Sequence, residues 1–131
     1  MIFVDTSFWV AASMRRDERH GMAAGLLERH ADAPLFTSNL VQGETWTFLR
    51  RRAGHGAAVD FLSRIERSPR IRLVPVTGPL EAEAWRWLRR HDERGYSFVD
   101  ATSFALMRSV RAREALAFDG DFSAAGFAEL R

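Results

Sequence analysis

The sequence predicts an α/β fold, a single domain over residues 1–131 in which helices flank a mostly parallel sheet of four or five strands. Short apolar runs of strand length alternate with amphipathic segments of helical period along the whole chain, as a parallel sheet with crossover helices requires. With 131 residues, 47% of them hydrophobic and 27% charged, the chain is sized for one domain and apolar enough to bury a core. No linker, repeat or low-complexity tract divides it.

Ile2, Phe3 and Val4 make a first short strand, followed at once by Asp5, Thr6 and Ser7. The stretch from Thr6 to Asp32 has helical composition and is expected to break near Gly21. "APLFTS" is a second strand, and "NLVQGETWTFLRRR" a helix with Leu40, Val41, Phe48 and Leu49 on one side, ended by Gly54 and Gly56. "AAVDFLSRIERS" is a further amphipathic helix that stops at Pro69. "IRLVPV" follows as a third strand, and its Pro75 predicts an exposed end. "GPLEAEAWRWLRRHDERG" is a further helix, with Pro79 near its start and Gly95 after its end. "SFVDATSFALMRSV" is a helix, "EALAF" a strand and "FAEL" a last strand.

Composition removes several chemistries. All nineteen basic residues are arginine, so a P-loop lysine and a Schiff-base amine are both missing. Without cysteine there is no disulfide framework and no thiolate metal site. The four histidines lack ligand spacing, which leaves carboxylates as metal ligands. A net charge of +2 does not by itself announce a nucleic-acid partner. No apolar run reaches the roughly 18–20 residues of a membrane span. The N-terminus lacks the pattern of a secretory signal, and a cytoplasmic location is expected.

Four acids stand out. In open parallel sheets, sites lie at the carboxyl ends of the strands. Asp5 and Asp119 follow the first strand and the strand "EALAF", and Asp100 opens the helix that leads back to it. Helical projection places Glu44 between Leu40 and Phe48, inside the apolar stripe. Each aspartate also has an ordinary structural role: Asp5 or Thr6 as a helix cap, Ser97 with Asp100 as a capping box, Asp119 with Asp121 as a turn. Carboxylates gathered in one place raise one another's pKa. A hard divalent cation relieves that repulsion, and Mg²⁺ or Mn²⁺ held by carboxylates can activate water for attack at phosphorus.

The pieces "FVDTSFW", "SNLVQGETW", "YSFVDATSFALM" and "ALAFDGDF", in this order, resemble the PIN domain, specifically the VapC-type toxin ribonucleases of bacterial toxin-antitoxin pairs. The resemblance implies a metal-dependent endoribonuclease that binds Mg²⁺ or Mn²⁺ through Asp5, Glu44, Asp100 and Asp119. Thr6 and Ser103 would be supporting polar groups, and Asp121 a reserve ligand. It also implies an RNA substrate, a homodimer and inhibition by a small antitoxin protein. Ala117 departs from the pattern, in which a Thr or Ser often stands two residues before the fourth acid, so a hydroxyl that would orient Asp119 is expected to be missing.

A nuclease also needs a grip on the RNA backbone. Candidates are Arg15 and Arg16 after the first helix, and Arg50, Arg51 and Arg52 at the end of the helix carrying Glu44. Trp46 is open for base stacking, whereas Trp9, Trp85 and Trp87 are assigned to packing or interfaces. Two alternatives stand beside the nuclease. One is a binding module with remnant carboxylates; the other is a HAD-type phosphatase, disfavoured because Asp5 does not begin a D-x-D motif.

Overall fold

A computed structural model describes all of residues 1–131. The elements in chain order are β1 (Ile2–Val4), α1 (Thr6–Ser13), α2 (His20–Arg29), β2 (Leu35–Ser38), α3 (Asn39–Arg52), α4 (His55–Arg67), β3 (Ile71–Val74), α5 (Gly78–Arg90), α6 (Phe98–Ser109), β4 (Glu114–Leu116), α7 (Asp121–Ala124) and β5 (Ala128–Glu129). The five strands form one sheet in the order β3-β2-β1-β4-β5, and every pairing is parallel. The expected α/β architecture is therefore present, with β1 at the centre. Ile2 pairs with both Leu35 and Glu114, so the exit from β1 lies between two neighbours and carries Asp5 into the middle of the carboxyl edge.

Burial explains the strand composition. Every residue of β1 and β2 is buried, whereas edge strand β3, followed by Pro75, is only partly covered. Phe3 meets Phe36 edge-on at 5.2 Å and stacks on Phe122 at 5.8 Å. Phe104 from α6 meets Phe122 edge-on at 4.9 Å and Trp87 of α5 at 5.2 Å. Burying each such ring contributes about 1.5–3 kcal/mol. This aromatic cluster joins β1, β2, α5, α6 and α7 beneath the acids. It fixes their platform.

Three local expectations are corrected. The first helical stretch breaks between Met14 and Arg19, not at Gly21, which lies inside α2. Asp17 causes the break: its Oδ1 accepts the Arg19 backbone N–H at 2.8 Å, a local bond that competes with helix. Gly56 does not end α3 but lies inside α4. Gly54, at φ 97°, is the α4 N-cap, a conformation that suits glycine. Finally, the "FDGDF" turn continues into α7, a single helical turn too short to leave a periodic signal.

Candidate active site

Asp5 is buried at the N-cap of α1. Its Oδ2 accepts the Ser7 backbone N–H at 3.2 Å and the Ser7 hydroxyl at 2.8 Å. Ser7 Oγ in turn accepts the backbone N–H of Phe118 at 2.9 Å, so a single hydroxyl fastens Asp5 to the end of β4. Asp100 closes a capping box on α6: its Oδ2 accepts from Ser97 N, and Ser97 Oγ accepts from Asp100 N, both at 2.9 Å. Asp119 Oδ1 accepts the Asp121 backbone N–H at 3.1 Å, and Asp121 Oδ1 accepts Nε of Arg94 at 2.9 Å. Each aspartate thus commits one oxygen to the protein, while its other oxygen accepts no hydrogen bond.

These side chains share one cleft of about 490 Å³, which Thr6, Ser7, Glu44 and Arg19 also line. Carboxylate oxygens of Asp100, Asp119 and Asp121 lie within 4.8 Å of one another. The electrostatic consequence is visible in three of the acids. Burial pushes the Asp5 carboxyl up to about 7, the charge of Asp119 adds to the rise, and the Ser7 hydrogen bonds oppose it. Burial likewise raises Asp100 to about 6; the Ser97 backbone bond opposes the shift and the charges of Asp119 and Asp121 reinforce it. Asp119 is exposed at the residue level, yet partial desolvation of its carboxyl still raises its pKa against the Asp121 N–H. A larger hollow of about 690 Å³, lined by Trp9, Phe61 and Ile65 among others, contains only one acid, Asp60. Size does not locate the chemistry here; charge does.

The donor set fits a hard divalent cation. Asp100 from α6 meets Asp119 and Asp121 from the β4–α7 turn, Asp5 and Glu44 line the same cleft outside that close group, and the raised pKa values of Asp5, Asp100 and Asp119 mark the cost of holding these charges unrelieved. Thr6 supplies a further sign: its Oγ1, beside the same cleft, is buried and has no hydrogen-bond partner.

Several expectations are revised at this point. Glu44 lines the cleft but is exposed, because the buried face of α3 is Val41, Thr45 and Leu49; Leu40, Glu44 and Phe48 form the adjacent row. Thr45 sits among apolar neighbours because its hydroxyl donates to Val41 O at 2.8 Å. Ser103 is wholly buried outside the cleft lining, its hydroxyl donating to Val99 O of its own helix. Ala117 is buried without a hydroxyl, and the backbone N–H of Asp121 takes over the orientation of Asp119. Arg15 and Arg16 are exposed in the α1–α2 connection and do not line the cleft. Arg50 is exposed away from it, whereas Arg51 and Arg52 share an adjoining hollow with Glu44 and Phe48. Trp46 is half-buried, meets His55 edge-on at 5.9 Å and does not line the cleft. Ser7, Asp17 and Arg19 are charged or hydroxyl-bearing lining residues that sequence reasoning passed over. Ser7, two residues beyond an N-cap acid, had a local signal; Asp17 and Arg19 had none.

Comparison with known proteins agrees with this geometry. The family model for the PIN domain matches residues 2–128. Two proteins called "23S rRNA-specific endonuclease VapC20", from Mycobacterium tuberculosis strains H37Rv and CDC 1551, are each 57% identical over 131 residues, covering 100% of this chain and 98% of the relative. The crystal structure of Mycobacterium tuberculosis VapC20, described as a sarcin-ricin loop cleaving toxin, superimposes with a TM-score of 0.93 at 56% identity over 100% of this chain and 99% of that one. With its family model spanning nearly every residue and a relative of majority identity over full length, this chain belongs to the PIN domain family.

Proposed function

We propose that this chain is a metal-dependent endoribonuclease of the toxin type, cleaving the sarcin-ricin loop of 23S rRNA as its named relatives do. The observation that carries the reading is the division of labour within each carboxylate. One oxygen of Asp5, Asp100, Asp119 and Asp121 is anchored by the fold, and its twin is left without a hydrogen bond beside the cleft. Structural caps alone give no reason to bring four such groups together against their own repulsion.

In this reading Asp5, Asp100 and Asp119 hold Mg²⁺ or Mn²⁺, with Glu44 reaching in from α3 and Asp121 in reserve. When bound, the ion supplies activation of water as a nucleophile and neutralisation of the leaving oxygen. The chain's own contribution is orientation. Ser7 keeps the Asp5 carboxylate from rotating, the Ser97 capping box does the same for Asp100, and Thr6 offers its unpartnered hydroxyl to the cleft. Arg94 partly neutralises Asp121 from the outside and donates to the Asp119 carbonyl at 3.3 Å. The toxin reading carries with it a small antitoxin protein as inhibitor, a homodimer, and a cytoplasmic site of action where ribosomal RNA is found.

The test is to incubate the purified protein with bacterial ribosomes, with Mg²⁺ or Mn²⁺ and with a chelator, and to map new RNA ends. One cut within the sarcin-ricin loop, abolished by the chelator, is expected. Cleavage that persists without metal, or no cleavage at all, overturns the reading.

A further inference from the structure

An RNA strand entering this cleft meets six carboxylates, and bound divalent cations offset only part of that charge. Arg19 is the one cationic side chain among the lining residues. No acid neutralises it, because the ion pairs of the molecule are His91–Glu93, Arg94–Asp121 and Arg131–Glu129. Arg19 is nevertheless held firmly. The Asp17 carboxylate fixes its backbone N–H at 2.8 Å, its Nη1 donates to the carbonyl of Phe118 at 2.8 Å, and its guanidinium lies 5.4 Å over the Phe118 ring. Phe118 directly precedes Asp119 and receives Ser7 Oγ on its own N–H, so the guanidinium is registered to the acids.

A fixed planar fork with spare N–H donors suits phosphate oxygens, and pre-positioning lowers the entropy lost when the contact forms. The other arginines proposed as grips lack these features. Arg15 and Arg16 lie outside the lining, and Arg52 leans over Phe48 in the adjoining hollow, its guanidinium 5.2 Å from the ring centre. From this geometry we infer that Arg19 binds an RNA phosphate next to the cleaved bond and so sets the position of the substrate strand against the acids. The inference rests on the ribonuclease reading above.

The experiment compares wild type with Arg19→Gln and Arg19→Lys on an oligonucleotide carrying the sarcin-ricin loop, over a salt series. Gln keeps an uncharged polar group in place of the guanidinium, and thermal melting verifies the fold of both variants. Arg19→Gln raises KM about tenfold or more with kcat little changed, and it makes the salt dependence shallower by about one phosphate contact. Arg19→Lys recovers part of the loss. Stabilisation by Mn²⁺ is the same in all three proteins. A KM for Arg19→Gln that matches wild type, a loss confined to kcat, or a weakened Mn²⁺ response overturns the phosphate grip. A wild-type protein that cuts no RNA instead removes the ribonuclease reading on which the grip depends.

Discussion

The cleft has two unlike walls. On one side stand Asp5, Asp100, Asp119 and Asp121, each at the junction of a strand or loop with a helix and each with an oxygen tied to the protein. On the other side is α3, which presents Glu44 exposed and without a hydrogen bond, beside Phe48 and the Arg51–Arg52 end. The first wall holds charge where the metal-free protein would rather not have it, as the Asp5 and Asp100 values of about 7 and about 6 show. The second is an ordinary solvated helix face. The fold accepts an electrostatic cost only where geometry must be fixed, so the costly wall is the one expected to dominate catalysis.

The largest effect should follow from emptying the costly wall of one charge. Asp5→Asn keeps an N-cap acceptor for Ser7 and should lower cleavage by more than about 100-fold, beyond the loss typical of outer-shell partners. The same change should stabilise the metal-free protein. In the folded state Asp5 keeps its proton up to about pH 7, whereas the unfolded value is 3.8, so between those values the folded form binds the extra proton. Stability from this group is full below about pH 4 and is lost as pH rises through 7. Melting curves of wild type and Asp5→Asn in chelator should therefore nearly coincide at pH 4 and separate as pH rises. At pH 8 the variant should be ahead by on the order of 1–4 kcal/mol. Mn²⁺ should narrow the gap by stabilising wild type. A variant that is less stable at pH 8 would deny that the first wall is strained.

Next in size is the fastening of that wall. Ser7→Ala removes the hydroxyl's hydrogen bond to the Asp5 carboxylate and the acceptor for Phe118 N, and leaves the bond from the Ser7 backbone N–H in place. A loss of about 10- to 100-fold in kcat/KM is expected. Because the Ser7 bonds oppose the rise at Asp5, its carboxyl should move higher still, and the acid limb of the pH–rate profile should shift to higher pH with it. An unchanged profile would mean that Asp5 is positioned by something other than this hydroxyl.

The walls also differ in how much of them the sequence discloses. The central strands and α3 were legible, α3 running over the expected Asn39–Arg52, because a long apolar period and strand-like runs survive in one dimension. The placement of Asp5, Asp100 and Asp119 along one cleft was legible because strand ends and helix starts are marked by residue type. Their ordinary structural readings are present too: Asp5 and Asp100 cap their helices, and Asp119 makes the turn into α7. Glu44 was misplaced because Leu40 and Phe48 looked like the core row, while the true row hides a threonine whose hydroxyl is satisfied within the helix. Ser7 and Arg19 acquire their roles through Phe118, 111 and 99 residues away, and no local pattern announces such a contact.

The smallest of these effects, and the one that tests the contrast itself, lies on α3. Glu44 faces the cleft, yet nothing in the protein anchors its carboxylate, so it must lose side-chain freedom whenever it engages a ligand. Glu44→Gln should accordingly cost about tenfold or less in kcat/KM, near the value of a single charged hydrogen bond. It should change the melting temperature of the metal-free protein little, since the side chain is exposed and makes no hydrogen bond. Parallel measurement with Asp5→Asn decides the matter. If Glu44→Gln proves as damaging as Asp5→Asn and equally abolishes stabilisation by Mn²⁺, then α3 contributes a ligand of full weight, and the two walls must close into one when the site is loaded. If the loss stays modest and the Mn²⁺ response persists, the chemistry belongs to the anchored wall, and α3 serves mainly to bound the cleft and accommodate the strand that enters it.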